Sequence, residues 1–168
     1  MCLEISCIPQ DVLMAIYICL VVVACFGLWH LRTGAITTRP LLNASEARLF
    51  PILRSITAKH LGAGYAVYPQ VACGEFLTTS SVKTRYLFNA RRADFLIVDP
   101  AFNPVAVIEY QGSGHYGSSI RSQIRARKGD RIKRRVIRRA GLVLIEVPPR
   151  FDSHALVELM RRKGLFRG

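Results

Sequence analysis

Residues 12–31 (VLMAIYICLVVVACFGLWHL) run for twenty positions without an Asp, Glu, Lys or Arg. A helix rises about 1.5 Å per residue, so the run spans about 30 Å, the thickness of a bilayer core. A buried helix of this length in a soluble protein would carry a polar stripe, and none is present. Trp29 and His30 end the run, where amphipathic rings settle at an interface. The pattern predicts a transmembrane helix. After a short polar linker (32–41) the period changes. Leu42, Leu49, Ile52, Leu53 and Ile56 recur at helical spacing and predict a helix over 43–60, capped by Asn43 or Ser45 and kinked by Pro51. Residues 65–72 (YAVYPQVA) read as a strand that Pro69 confines to a sheet edge. Residues 74–91 show no clear period and read as a loop or irregular insertion rich in Thr and Ser.

Two strong strands follow, 93–99 (ADFLIVD) and 105–111 (VAVIEYQ). Five residues join them, which implies an antiparallel hairpin. A Gly/Ser loop (112–119) leads to a helix expected over 120–140 and ended by Gly141. A buried strand is expected over 142–147, stopped by Pro148-Pro149, and then a helix over 152–163 capped by Asp152 or Ser153. The order predicts an α/β fold, a mixed sheet flanked by helices. The chain divides into a short non-cytoplasmic segment (1–11), the transmembrane helix (12–31), the linker (32–41) and a folded domain (42–168).

The flanks of the apolar run orient it. Glu4 and Asp11 precede it, whereas Arg32, Arg39, Arg48 and Arg54 follow. The positive-inside bias places the amino terminus outside and the domain in the cytoplasm, at a cell inner membrane. A cleaved signal peptide wants a basic leader, which is missing. Val22-Val23-Ala24-Cys25 is a competing lipoprotein-like cleavage box, ranked below a signal anchor because cleavage there would export a very basic domain. Cys73 alone of the five cysteines lies in the domain, so no disulfide forms within it. No Cys/His spacing suits zinc.

Charge narrows the partner. Twenty-four Lys and Arg against eleven Asp and Glu give a net charge of +13, which favours nucleic acid or an anionic membrane. The excess concentrates in the 120–140 helix, where Asp130 alone opposes ten cations, among them Arg121, Arg125, Lys128, Arg131, Arg135 and Arg138. Phosphate contact explains that asymmetry and would be independent of base sequence. An anionic inner leaflet is the rival.

The hairpin carries the candidate chemistry. With its turn at 100–104, positions pair when their numbers sum to 203 or 204. Asp94 then lies opposite residue 109 or 110. Glu109 and Gln111 share a face, because alternate strand residues point the same way. Paired carboxylates at a sheet end suit Mg²⁺ or Mn²⁺. Each residue also has a plainer reading: Asp94 as a strand end, Glu46 as a helix-terminus charge, Lys133 as one more solvated cation and His115 as a loop histidine. Glu109 resists such a reading, as a charge in an otherwise buried strand.

These residues resemble the restriction-endonuclease-like, or PD-(D/E)xK, nuclease superfamily, and more closely an uncharacterised bacterial domain family within it. The resemblance runs from about Leu42 to Val147. It rests on Leu42-Asn43-Ala44-Ser45-Glu46, Gln70-Val71, Ala93-Asp94-Phe95, Ile108-Glu109-Tyr110-Gln111, Ser113, His115, Asp130-Arg131-Ile132-Lys133 and Ala140-Gly141-Leu142. It implies that Asp94, Glu109, the Tyr110 carbonyl and Glu46 ligate a divalent metal. Lys133 would replace a lysine that in some members has moved from the strand to the following helix. Gln111 stands where the lysine is usual and cannot supply positive charge. The expected function is a membrane-anchored, metal-dependent nuclease acting on DNA, with Asp94, Glu109, Gln111 and Lys133 catalytic. The alternatives are a non-catalytic nucleic-acid-binding member of the same fold and a membrane adaptor whose basic face binds lipid or protein.

Overall fold

The computed structural model describes residues 9–32, 36–112 and 120–166, without the side chains of 30–32, 120–123 and 125–127. It divides into two units, Met1–Arg39 and Pro40–Gly168. The first holds helix α1 (Gln10–Arg32). Its stretch Gln10–Trp29 has a mean hydropathy of 2.7, long and apolar enough to cross a membrane. Its large apolar side chains are exposed.

The second unit opens on α2 (Ala44–His60). Of the two caps expected, Asn43 is used: its side-chain oxygen accepts from the N–H groups of Ser45 (3.0 Å) and Glu46 (2.9 Å). Glu46 reciprocates, its Oε2 accepting from the Asn43 N–H at 2.9 Å and completing a capping box. The helix runs on through Pro51, which cannot donate to the carbonyl one turn back. Among the described residues strand β1 (Ala66–Ala72) pairs with β2 only, and it takes an edge of the sheet, as Pro69 implied.

The 74–91 segment departs from the expected loop. It contains α3 (Cys73–Phe76) and α4 (Val82–Phe88). Both are too short to show a helical period. The hydroxyls that suggested a loop do helix-end work instead, the Ser81 Oγ accepting from the Thr84 N–H at 3.3 Å. Phe88 anchors α4 in the interior.

Strands β2 (Arg92–Val98) and β3 (Pro104–Tyr110) form the expected hairpin. Phe95↔Ile108, Leu96↔Val107 and Ile97↔Ala106 all sum to 203, and the register slips at Ile97/Val98. Asp99 shapes the turn, its Oδ1 accepting from the N–H groups of Ala101 (2.9 Å) and Asn103 (2.8 Å). Those bonds, the Asn103 side chain foremost, hold its carboxyl below the usual range. Helix α5 (Ile120–Arg139) then crosses over to β4 (Val143–Val147), parallel to β3. Gly141 takes φ +75°, the left-handed conformation that ends α5. Helix α6 (Ser153–Arg162) is capped by Asp152. The result is a mixed four-stranded sheet, β1-β2-β3-β4, flanked by helices.

The strand pleat sorts side chains onto two faces. Phe95, Ile97, Ile108 and Ile145 pack with Leu49, Leu53 and Met160 from α2 and α6. Leu96, Val98, Val107 and Leu144 pack under Ile137 of α5. Continuing the second set along each strand by steps of two reaches Asp94, Glu109, Gln111 and Glu146. One end of the face beneath α5 is therefore apolar and the other polar.

The Asn43 cap gives a direct check. Asn43→Ala is expected to cost about 1 kcal/mol, lowering the melting temperature of the detergent-solubilised chain by about 3–5 °C. Asn43→Ser is expected to stay near the parent.

Candidate functional site

The polar end begins with Asp94. Its Oδ2 accepts from the Tyr110 N–H at 2.8 Å, tying the start of β2 to the end of β3. Extending the 203 register sets Asp94 against Glu109. On the other side, Glu109 pairs with Glu146 in the parallel ladder. Three carboxylates thus form a row across β2, β3 and β4.

Helix α5 lays Asp130, Lys133, Arg134 and Ile137 over this row, at the i, i+3, i+4, i+7 spacing of one helical face. Lys133 Nζ bonds Glu109 Oε2 and the Arg92 carbonyl, the latter at 3.0 Å. Arg134 Nε lies 2.7 Å from Glu146 Oε1. Gln111 Nε2 donates to the same oxygen at 3.0 Å. Together these groups line a cavity of 220 Å³ with Asp94, Tyr110 and Gly112.

Glu109 is 7% exposed. Burial pushes its carboxyl up to about 7, against the attraction of Lys133 and with a smaller upward push from Asp94. Its Oε1 is buried without a hydrogen-bond partner among the described residues. Cys73 lies near the pair, and burial raises its thiol to about 11, which leaves it unreactive.

The donor set suits a hard divalent cation, with oxygen ligands and one orphaned carboxylate oxygen. Among the described residues no three His, Cys, Asp or Glu side chains converge on one point. A divalent cation here would take two carboxylates from the protein, Asp94 and Glu109, and water for the rest of its shell.

Of the residues expected from the sequence, Asp94, Glu109, Tyr110, Gln111 and Lys133 come together here. Lys133 is no solvated charge, since its side chain is 14% exposed and paired. Glu46 does not line the cavity; its carboxylate closes the α2 capping box. Lys128, Arg131, Arg135 and Arg138 are exposed on α5. The side chains of Arg121 and Arg125, and residues Ser113 and His115, lie outside the described residues. Arg134 and Glu146 enter as residues the sequence reading passed over. A signal was present: Leu144-Ile145-Glu146 repeats the pattern of Val107-Ile108-Glu109, a lone acid closing an apolar strand.

Two outcomes follow from this geometry. The folded state holds the Glu109 proton up to about pH 7, the unfolded chain only to about 4.5. A raised folded value stabilises fully at low pH and is lost as pH rises through that window. In chelator, unfolding free energy is expected to fall by a few kcal/mol across it, and Glu109→Gln is expected to flatten the fall; superimposed denaturant titrations of parent and variant would refute this. Glu46→Gln retains the capping box and is expected to leave stability and divalent-cation binding within error of the parent, measured by calorimetry.

Residues 38–162 match the family described as protein of unknown function (DUF2726). An uncharacterized protein of Haemophilus influenzae is 38% identical over 118 residues, 70% of this chain and 58% of its own length. Uncharacterized protein y4bI of Sinorhizobium fredii is 33% identical over 111 residues, 66% of this chain and 75% of its own. The chain therefore spans less than two thirds of the Haemophilus protein. No solved structure matches. The family match takes in every element from α2 to α6 and the whole carboxylate row, and the chain belongs to the DUF2726 family.

Proposed function

We propose that the chain is a membrane-anchored nuclease that hydrolyses phosphodiester bonds in DNA, with Mg²⁺ or Mn²⁺ held by Asp94 and Glu109. The observation that carries this reading is Glu109, a carboxylate buried in β3 with one oxygen on Lys133 and the other without a partner among the described residues. Such an oxygen is costly in the folded state unless a ligand satisfies it. The resemblance to the restriction-endonuclease-like superfamily, with Asp94, Glu109 and Lys133 at matching positions, supports the same reading.

A divalent cation at this position supplies Lewis acidity to a phosphate oxygen and offsets its charge. The chain's own groups do the remainder. Tyr110 fixes Asp94 through its N–H, so that carboxylate is preorganised. Lys133 brings positive charge to Glu109 and to whatever anion enters the cavity. Exposed Lys128, Arg131, Arg135 and Arg138 hold the nucleic-acid backbone without reading bases. Helix α1 and the arginines after it support placement at the cytoplasmic face of an inner membrane.

A second reading is a non-catalytic nucleic-acid-binding protein of the same fold. It is favoured by position 111, where a glutamine amide is engaged with Glu146 and no lysine is present.

Supercoiled plasmid incubated with the purified chain separates them. Nicking is expected with Mg²⁺ or Mn²⁺, none with chelator, and a loss of roughly 100-fold or more in Asp94→Ala and Glu109→Ala. Salt-sensitive DNA retention without cutting at any metal concentration selects the second reading. Absence of retention sinks both and leaves a membrane adaptor.

A further inference from the structure

Three side chains from three elements meet at one oxygen. Gln111, just past β3, and Arg134, on α5, both reach Glu146 Oε1 on β4, at 3.0 and 2.7 Å. All three line the cavity. As a stabilising device the cluster is weak. The side chains of Arg134 and Glu146 are 40% and 28% exposed, and pairs so wetted contribute about 0–1 kcal/mol. Its geometry suits another task.

We infer that Arg134 is the cation that grips a phosphate oxygen of the nucleic acid in this cavity, and that Glu146, steadied by Gln111, is its positioning residue. The inference rests on the nucleic-acid reading above and adds to it the group that meets the substrate.

Guanidinium carries five donors in a planar fork. Glu146 forms its ion pair on the side of the inner nitrogen, Nε. The two terminal nitrogens have no partner among the described residues, and they are the pair that matches two oxygens of a phosphate. Lys133 has one ammonium proton left for this contact and cannot form a fork. Its ammonium is committed to Glu109 and to the Arg92 carbonyl, and its side chain is largely covered. Among the described residues, Arg134 is thus the cavity-lining cation with a pair of donors to spare. Gln111 acquires a role at the same time: lacking charge, it holds the acid that holds the arginine.

The test uses the whole chain in detergent. Anisotropy of a short fluorescein-labelled duplex in chelator, over a series of KCl concentrations, counts phosphate contacts; plasmid nicking with Mg²⁺ gives kcat and KM. Arg134→Ala is expected to reduce the salt slope by about one and to lower kcat/KM. Arg134→Lys is expected to restore the slope but not the rate, because an ammonium cannot hold Glu146 and fork onto phosphate together. Glu146→Gln is the sharper variant. Removing a negative charge should tighten DNA binding if charge alone mattered. The positioning role expects no tightening, a kcat about 10-fold lower, and no further loss when combined with Arg134→Ala. Melting curves exclude unfolded variants, with Arg134→Lys as the conservative reference. An unchanged salt slope in Arg134→Ala, or tighter binding with full rate in Glu146→Gln, overturns the inference. Cutting that depends on Asp94 and Glu109 but ignores Arg134 overturns it while the nuclease reading stands. A reduced slope in a chain that never cuts does the reverse. No duplex binding by the parent overturns both.

Discussion

The ion pair between Glu109 and Lys133 joins the sheet to the helix that covers it, and the geometry of the site descends from that pair. A carboxylate buried at the end of a sheet face leaves water at a cost of several kcal/mol unless a partner meets it. Helix α5 must therefore cross with residue 133 above residue 109. The helical repeat then decides what else points down. One turn towards the amino end is Asp130, and one turn towards the carboxyl end is Ile137, which closes the small core over Leu96, Val107 and Leu144. Residue 134 falls beside 133 and reaches Glu146.

The parallel ladder creates a difficulty that this arrangement answers. Glu109 and Glu146 are direct cross-strand neighbours, and like charges so placed repel. Consecutive cations on α5 serve them separately, Lys133 the inner acid and Arg134 the outer. The two acids are consequently unequal. Glu109 is nearly sealed, and its proton is held to about neutral pH. Glu146 is wetter and shares its oxygen with Gln111. A single row of carboxylates thus contains two environments, one buried beside Asp94 and one open at the cavity mouth.

Much of this was legible in the chain because it is local. The hairpin register follows from turn length, the α2 start from Asn43 and Glu46, the edge position of β1 from Pro69, and the α5 stop from Gly141. Asp94 and Glu109 could be brought together by counting across one turn. What escaped depends on longer reach. Helices α3 and α4 hold four and seven residues, fewer than a period needs to declare itself, and their Ser and Thr are shared with loops. Glu146 reads locally as a lone acid in a buried strand. Its meaning comes from a ladder with residue 109, across an intervening helix and loop, and no pattern within β4 encodes that partner. Glu46 was ambiguous in the chain, because a helix-start acid suits a cap or a ligand from the same position, and here it closes the cap.

Strand β1 has a consequence beyond the site. Pro69 removes a donor from the sheet's outer edge, and Gln70 follows with φ 55°, so the ladder to β2 breaks between Pro69 and Val71. A chain bearing a twenty-residue apolar helix meets its own copies crowded in two dimensions on any bilayer that takes it up. Crowding of that kind rewards any smooth, unpaired strand with a neighbour of its own kind. A border that is notched and short of hydrogens is a poor template for a further strand, so β1 guards its own edge of the sheet against such pairing.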